Sequence, residues 1–253
     1  MRNLKVIVSY NGAAYHGFQR QTNAITVQEV IETALAELFD DESVSITGCS
    51  RTDAGVHARE FCFNTRTNSA IPTLGFVKGM NALLPNDIAV HSCEDVDFDF
   101  HARHSAKSKE YGYLIHNGKT RDVFMKNLAF FYPRELNLDV MCQAAELFIG
   151  EHDFSAYCKA ESLETVRAKK HGTMREIYSF CIERKGDYIE FIIRGNGFLH
   201  NMVRIMSGTL IYVSEGKRDL DDVRRSLAGG VRESAGITLS SCGLYLRKVY
   251  YEQ

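Results

Sequence analysis

The sequence has no apolar run that approaches the roughly 18 residues needed to cross a bilayer. Residues 1–10 alternate polar and apolar side chains, unlike the charged and then apolar profile of a signal peptide. The seven cysteines are odd in number and form no C-x-x-C pair, which argues against a disulfide framework or a zinc ribbon. These absences predict a soluble protein of the reducing cytoplasm with no membrane attachment.

The sequence also lacks an excess of charge of either sign, because 30 Lys and Arg residues face 32 Asp and Glu residues. At a net charge of −2, any binding of nucleic acid requires a local basic surface rather than bulk attraction. Two basic clusters are candidates for such a surface, although each of them, taken alone, is more typical of a solvated loop than of a nucleic-acid site. One cluster holds Arg167, Lys169, Lys170, His171 and Arg175, and the other holds Arg103, His104, Lys107 and Lys109.

Apolar periodicity predicts an α+β fold built from two similar halves. In the first half the order is β-α-β-β-α-β, the split unit of ferredoxin-like folds: strands over 4–10, 44–50, 60–67 and 88–96, and helices over 26–39 and 73–84. The second half repeats that order with insertions: strands over 110–116, 128–132, 175–183, 188–194 and 244–251, and helices over 138–149, 198–213 and 219–227. We therefore expect two ferredoxin-like (βαββαβ) halves with antiparallel sheets, one over 1–104 and one over 105–253. A cleft between such halves is a usual place for a site.

The connection between the second and third predicted strands is the most unusual stretch of the sequence. It reads Cys49-Ser50-Arg51-Thr52-Asp53-Ala54-Gly55-Val56-His57-Ala58. Small residues let a backbone approach a ligand, and loops on rigid strands often carry functional groups. Asp53 is therefore a candidate catalytic carboxylate with Arg51 or His57 as its charge partner. The spacing fits equally well an Asx-type turn, in which Asp53 only caps backbone N–H groups.

That connection resembles the catalytic loop of the tRNA pseudouridine synthase A family, usually Gly-Arg-Thr-Asp-Ala-Gly-Val-His. Further segments resemble other signatures of the family in the same order. They are Gly17-Phe18-Gln19-Arg20-Gln21, residues 100–106 with Glu110-Tyr111-Gly112-Tyr113, residues 197–204 ending in Arg204, and Gly243-Leu244-Tyr245-Leu246. The resemblance therefore covers nearly the whole chain.

The resemblance implies an isomerase that converts uridine to pseudouridine in the anticodon stem-loop of tRNA, at tRNA positions 38, 39 and 40. It implies a homodimer that needs neither cofactor nor metal and binds RNA in a central cleft. Asp53 matches the nucleophile, Tyr111 the substrate contact, and Arg51 and Arg204 the supporting arginines. Further candidates for RNA binding are Phe18, Gln19, Arg20, His57, Arg103, Lys107, Lys109, Arg167, Lys169 and Lys170.

A carboxylate suits this chemistry because it can attack C1′ of the sugar or C6 of the base while the base is released and turned. Tyr111 offers a face for stacking on uracil and a hydroxyl near C5, which must lose a proton. Ser50, Phe18 and Ser240-Ser241-Cys242 depart from the usual family residues. Two alternatives stay open: the same chemistry on another structured RNA such as ribosomal RNA, and a non-catalytic RNA-binding protein.

Overall fold

The computed structural model describes residues 1–168 and 171–252 of the chain. Its contacts divide into two compact units, the first over 1–107 and 245–253 and the second over 108–244. The last strand of the sequence therefore packs with the first unit, whereas the sequence-based division grouped 105–253 together. In the described part of the chain, no helix combines the length and the apolar character needed to cross a bilayer.

The first unit has the predicted β-α-β-β-α-β order. Its strands pair in the order β4-β1-β3-β10. Strand β2 pairs with residues 63–65 of β3. All these pairings are antiparallel except that of β3 with β10. The elements are β1 (Arg2–Tyr10), α1 (Val27–Phe39), β2 (Ile46–Gly48), β3 (His57–Thr67), α2 (Thr73–Leu83), β4 (Ile88–Val96) and β10 (Leu244–Tyr250).

The core of the first unit follows from alternation along its strands and an apolar stripe on each helix. Strands β1 and β3 and helices α1 and α2 all contribute buried side chains to this core; among them are Val6, Phe63, Ile31, Leu35 and Phe76. Thr26 begins α1, since its hydroxyl accepts a hydrogen bond from the N–H of Glu29 at 3.3 Å, as an N-cap residue does.

The second unit contains strands paired in the order β5-β9-β8-β7, and β6 pairs with β5. Its pairings are antiparallel except that of β5 with β6. The elements are β5 (Ser108–His116), β6 (Phe130–Phe131), α3 (Leu138–Glu146), β7 (Gly150–Asp153), α4 (Ala160–Arg167), β8 (Met174–Lys185), β9 (Tyr188–Gly195), α5 (Met202–Ser214) and α6 (Leu220–Leu227). The mixed α+β class and the mostly antiparallel pairing confirm the predicted fold class.

Three features of the second unit differ from the predicted elements. Helix α5 begins at Met202 rather than at Phe198, because Asn201 has a left-handed φ of 63° that a helix does not continue through. The short strand β7 and the helix α4 were not predicted. The sequence of β7, GEHD, has no apolar period, and α4 has no fully buried residue.

Candidate active site

The connection between β2 and β3, residues 49–56, forms a short loop that we call the Asp loop. The N–H of Val56 donates to the main-chain carbonyl of Asp53 at 3.2 Å, and Gly55 takes a left-handed φ of 76°. Only glycine adopts that φ without steric cost, so Gly55 allows the chain to reverse directly after Asp53. The Asp53 side chain is half-buried, whereas Arg51 is exposed. The loop therefore presents Asp53 from a turn anchored at both ends in strands.

A second loop, residues 11–18, packs directly on the Asp loop, and we call it the Gly loop. The N–H of Phe18 donates to the carbonyl of Thr52 at 3.2 Å, and the N–H of Gly55 donates to the carbonyl of Tyr15 at 3.2 Å. At the base of the loops, the hydroxyls of Tyr10 and Thr52 form a buried hydrogen bond of 2.9 Å. These bonds fix the backbone on both sides of Asp53.

Two glycines allow the loops to approach this closely. A β-carbon at Gly12 would lie 1.9 Å from the carbonyl oxygen of Val56, well inside contact distance. A β-carbon at Gly17 would lie 2.6 Å from the carbonyl oxygen of Thr52, and Gly17 has a φ of 91°. Any side chain at either position would push the Gly loop away from the Asp loop. Gly12 is a site residue that the sequence interpretation missed.

His57 lies inside the first unit, although the sequence placed it among the candidates for RNA binding. Its side chain is 1% exposed, and its Nδ1 accepts a hydrogen bond from the N–H of Gly12 at 3.0 Å. An N–H pointed at Nδ1 requires a lone pair there, so the neutral ring carries its proton on Nε2. The ring also stacks on Tyr245 of β10 with 4.6 Å between centroids. His57 thus connects the end of the Asp loop to the Gly loop.

Phe18 is buried as well, at 3% exposure, and stacks on Phe61 with ring centroids 4.1 Å apart. Such pairs contribute about 0.5–1.5 kcal/mol beyond the burial of apolar area. Gln19 and Arg20 are exposed. Nη1 of Arg20 donates to the buried carboxylate of Glu32 at 3.0 Å, so the charge of Arg20 is compensated within the unit.

Asp87 holds the Gly loop at its outer end. No sequence motif indicated this role of Asp87. The hydroxyl of Tyr15 donates to Oδ1 of Asp87 at 2.7 Å, and the N–H of Asn11 donates to the Asp87 main-chain carbonyl at 2.8 Å. Burial, together with the neighbouring carboxylate, raises the pKa of Tyr15. The phenol therefore stays protonated and remains a donor at neutral pH.

Tyr111 belongs to the second unit and lies on β5 opposite Ile193 of β9. It is 7% exposed, and its ring meets Phe198 edge to face, with centroids 5.0 Å apart and planes at 74°. Phe198 lies in the turn that precedes α5 and is itself half-buried. The two rings form an aromatic pair of fixed orientation.

Arg204, on the first turn of α5, is oriented by neighbours on two sides. Its Nε donates to the carbonyl of Leu239 at 2.7 Å, and its Nη1 donates to Oδ1 of Asn201 at 2.7 Å. The left-handed backbone of Asn201 directs that amide toward the guanidinium. The guanidinium is therefore held in one orientation before any substrate binds.

The remaining basic candidates are scattered over both units. Lys107 is exposed in the first unit, and Arg103 there is half-buried. In the second unit Lys109 is half-buried on β5, and Arg167 is exposed at the end of α4. Lys169 and Lys170 lie outside the described residues.

His101 and His104 have a structural role in a turn. Nδ1 of His101 accepts hydrogen bonds from the N–H groups of Arg103 and His104 at 3.1 and 3.2 Å. Burial, followed by the neighbouring His104, lowers the pKa of His101, which keeps the ring a neutral acceptor. No group of three or more His, Cys, Asp or Glu side chains suited to a metal ion occurs within 1–168 and 171–252.

The family model described as tRNA pseudouridine synthase matches residues 6–105 and 144–252. The chain belongs to the tRNA pseudouridine synthase family. It is 44% identical over 251 residues to tRNA pseudouridine synthase A of Thermoanaerobacter sp., covering 99% of this chain and 100% of that protein. It is also 44% identical over 252 residues, at the same coverage, to the protein of that name from Ruminiclostridium cellulolyticum. The protein of that name from Citrifermentans bemidjiense is 40% identical over 258 residues, covering 100% of this chain and 99% of its own.

The match to the family model includes the Asp loop and Arg204, because both lie within the matched residues. Tyr111 falls in the interval between the two matched segments and is covered only by the full-length relatives. Among solved structures, a chain of the archaeal box H/ACA sRNP Nop10–Cbf5 complex is similar over 95% of this chain and 59% of its own, at 11% identity. Its TM-score of 0.35 is too low to support an argument.

Proposed function

We propose that this protein isomerises uridine to pseudouridine in tRNA. The observation that carries the proposal is its full-length similarity, at 44% identity, to curated proteins named tRNA pseudouridine synthase A. Within that similarity the Asp loop keeps Arg51, Thr52, Asp53, Ala54 and Gly55 in the family's order. The departure at Phe18 is compatible with this role, since Phe18 fills a buried aromatic position; nothing in the structure explains the departure at Ser50.

Asp53 is the nucleophile of the proposed reaction. The isomerisation breaks the bond from N1 to C1′, forms a bond from C5 to C1′, and exchanges the proton on C5 for one on N1. A carboxylate can attack C1′ or C6 and leave again, which divides one difficult step into two easier ones. The hydrogen bonds between the Asp loop and the Gly loop support this role, because a nucleophile held in one geometry needs no ordering during the reaction.

Tyr111 is the substrate contact in this proposal, and Arg51 and Arg204 are the supporting cations. The hydrogen bonds of Arg204 to Leu239 and Asn201 support a fixed cation rather than a mobile one. Exposed Arg51 is suited to a phosphate or sugar oxygen of the substrate.

The same proposal assigns different tasks to the other candidates. Gln19, with the basic residues Arg103, Lys107, Lys109, Arg167, Lys169 and Lys170, binds RNA. Burial and compensated charge instead give Phe18, Arg20 and His57 the task of shaping the loops. The 1–104 half carries the nucleophile, and the 105–253 half carries the substrate tyrosine and the helical arginine.

We further propose the finer features that the family resemblance implies. The target is the anticodon arm of tRNA, and the enzyme is a cytoplasmic homodimer that works without cofactor or metal. Mapping of pseudouridine in total RNA, from cells with and without the protein, identifies the target. Loss of pseudouridine from anticodon arms supports this target, whereas loss from ribosomal RNA alone would replace it. No loss from any RNA would favour a binding protein without catalysis.

The nucleophile is tested with Asp53→Asn, which removes the charge at nearly constant volume. With tRNA transcripts tritiated at C5 of uridine, release of tritium into water should fall by about 10⁴-fold or more. The affinity for tRNA should stay within about twofold, because phosphate contacts are spread over many residues. A variant that releases tritium at a rate comparable to the parent would refute the role of Asp53.

A further inference from the structure

Arg175, at the start of β8, is a half-buried cation with no acidic partner among the described residues. Its Nη1 donates to the main-chain carbonyls of Gly172, at 3.1 Å, and of Met174. In the same unit, Arg134 is paired with Glu215 at 2.7 Å and Arg224 with Asp221 at 2.6 Å. Two carbonyl dipoles orient the guanidinium but do not neutralise its charge.

The charge of Arg175 persists despite its burial. Burial lowers the pKa of Arg175, but an arginine begins from a value so high that it stays protonated. The thiol of Cys158 is close enough to influence Arg175, yet its own burial raises the pKa of Cys158. That thiol is therefore neutral and supplies no counter-charge. A half-buried charge without a partner is costly, and it is a ready receptor for an anion.

Arg175 borders the turn that carries Phe198. A β-carbon at Gly197 would lie 3.5 Å from Nε of Arg175, and a β-carbon at Gly195 would lie 3.5 Å from the ring of Phe198. Phe198 in turn meets Tyr111 edge to face. The guanidinium and the aromatic pair thus flank one short turn, in which Gly197 is half-buried and carries no side chain. An RNA strand can approach such a turn more closely than one with side chains.

We propose that Arg175 binds a backbone phosphate of the RNA strand whose uridine reaches Tyr111. This inference rests on the proposed function and adds a phosphate subsite to it. The planar guanidinium can offer Nε and Nη2 to two oxygens of one phosphate, while Nη1 stays bound to the two carbonyls. The phosphate neutralises the charge and fixes the strand beside the aromatic pair, so that one nucleotide is presented to Tyr111.

The test compares tRNA binding by the parent, Arg175→Gln and Arg175→Lys over a series of salt concentrations. Arg224→Gln is the matched control, since it removes the same charge from the same unit where an aspartate already compensates it. Loss of one phosphate contact should weaken binding about tenfold at low salt. It should also make the slope of log K against log salt shallower by about 0.7–0.9.

Arg224→Gln should leave both quantities near the parent values, and Arg175→Lys should keep the parent slope because it keeps the charge. If Arg175→Gln keeps the parent affinity and slope, the phosphate subsite is excluded, even if the variant melts at a lower temperature. That result would leave Arg175 as an anchor for the carbonyls of Gly172 and Met174. Pseudouridine formation by the parent is measured in parallel, so failure of the proposed function is recognised separately from failure of the subsite.

Discussion

The ring and the hydroxyl of Tyr111 have separable tasks in the proposed reaction. A uridine in a structured RNA must leave its stack to reach the enzyme, at a cost of a few kcal/mol. Stacking on an aromatic face recovers about 1–3 kcal/mol per base. The edge contact with Phe198 fixes that face. In the proposed reaction the hydroxyl assists removal of the proton that C5 must release.

Tyr111→Phe keeps the ring and removes only the hydroxyl. We expect tRNA binding near the parent value and a loss of rate of about 10²–10⁴-fold, the range typical of general acid–base assistance. Single-turnover tritium release and a binding titration separate the two effects. Tyr113→Phe, two residues along β5, is the control: its hydroxyl donates to the carbonyl of Ser240 at 2.7 Å. That variant should lose about 0.5–1.5 kcal/mol of stability and keep its rate.

A Tyr111→Phe enzyme within about threefold of the parent rate, far inside that acid–base range, would leave Tyr111 as a stacking surface only. A large loss in Tyr113→Phe as well would point instead to a general effect on β5. The comparison is fair because both phenols lie on one strand and both are largely buried.

The sequence identified the candidate site residues through motifs, and a motif carries no information on burial. Asp53 is half-buried in its loop, whereas Tyr111, Phe18 and His57, from equally good motif matches, are all buried. Gly12 was missed because its importance lies in a distance of 1.9 Å to a residue 44 positions later, between a hypothetical β-carbon and the carbonyl of Val56.

Two loops, rather than one, define the candidate nucleophile position. The Asp loop alone is a short turn, and its geometry depends on hydrogen bonds from the Gly loop. His57 is the buried side chain that joins the two, because its Nδ1 accepts from the N–H of Gly12. Without an acceptor there, that buried N–H would be unsatisfied, at a cost of about 1–3 kcal/mol.

His57→Phe and His57→Asn separate the acceptor from the ring. Phe keeps a ring to stack on Tyr245 and removes the acceptor, whereas Asn keeps an oxygen near Nδ1 and removes the ring. We expect His57→Phe to lower kcat about 10- to 100-fold with KM for tRNA little changed, since a small displacement of a reacting group has effects of this size. His57→Asn should have the higher kcat of the two variants, whichever of them melts at the lower temperature.

Equal losses of kcat in the two variants, in proportion to their melting temperatures, would reduce His57 to a packing residue. A rise in KM with unchanged kcat would instead favour the earlier prediction that His57 contacts RNA. Each result therefore distinguishes an acceptor, a packing group and an RNA contact.

At the level of helices and strands, the sequence predicted the first unit almost completely and the second in part. Elements with a clear period, such as α1 and β9, were predicted within a few residues because one face of each is buried. The strand β7 has four polar or half-exposed residues, and its pairing with β8 gives no periodic signal. The start of α5 depends on the backbone of Asn201, which an apolar run cannot reveal.

At the level of the whole molecule, the order of the chain and the grouping of contacts disagree. Residues 245–253 come last in the sequence, but they pack with residues 1–107. Tyr245 pairs with His57 in register, Leu246 is fully buried, and the hydroxyl of Tyr251 donates to the carbonyl of Ala102 at 2.8 Å. Pairing between segments so distant in sequence leaves no local pattern, so the sequence-based boundary followed chain order.

This grouping predicts which fragment of the protein folds. The fragment 1–107 alone lacks β10, so β3 loses a paired strand and His57 loses the ring of Tyr245 that stacks on it. We therefore expect no cooperative thermal unfolding of this fragment. The N–H of Lys107 donates to the carbonyl of Tyr250 at 2.8 Å. A linker from Lys107 to Tyr245 must therefore span about 17 Å of strand, a distance that roughly ten Gly and Ser residues match.

A fusion of 1–107 through that linker to 245–253 should unfold cooperatively, as followed by circular dichroism. The same fusion with Leu246→Ala should lose about 2–5 kcal/mol, the cost of truncating a fully buried leucine. Cooperative unfolding of 1–107 alone, at the temperature of the fusion, would show that the first unit is complete without its last strand.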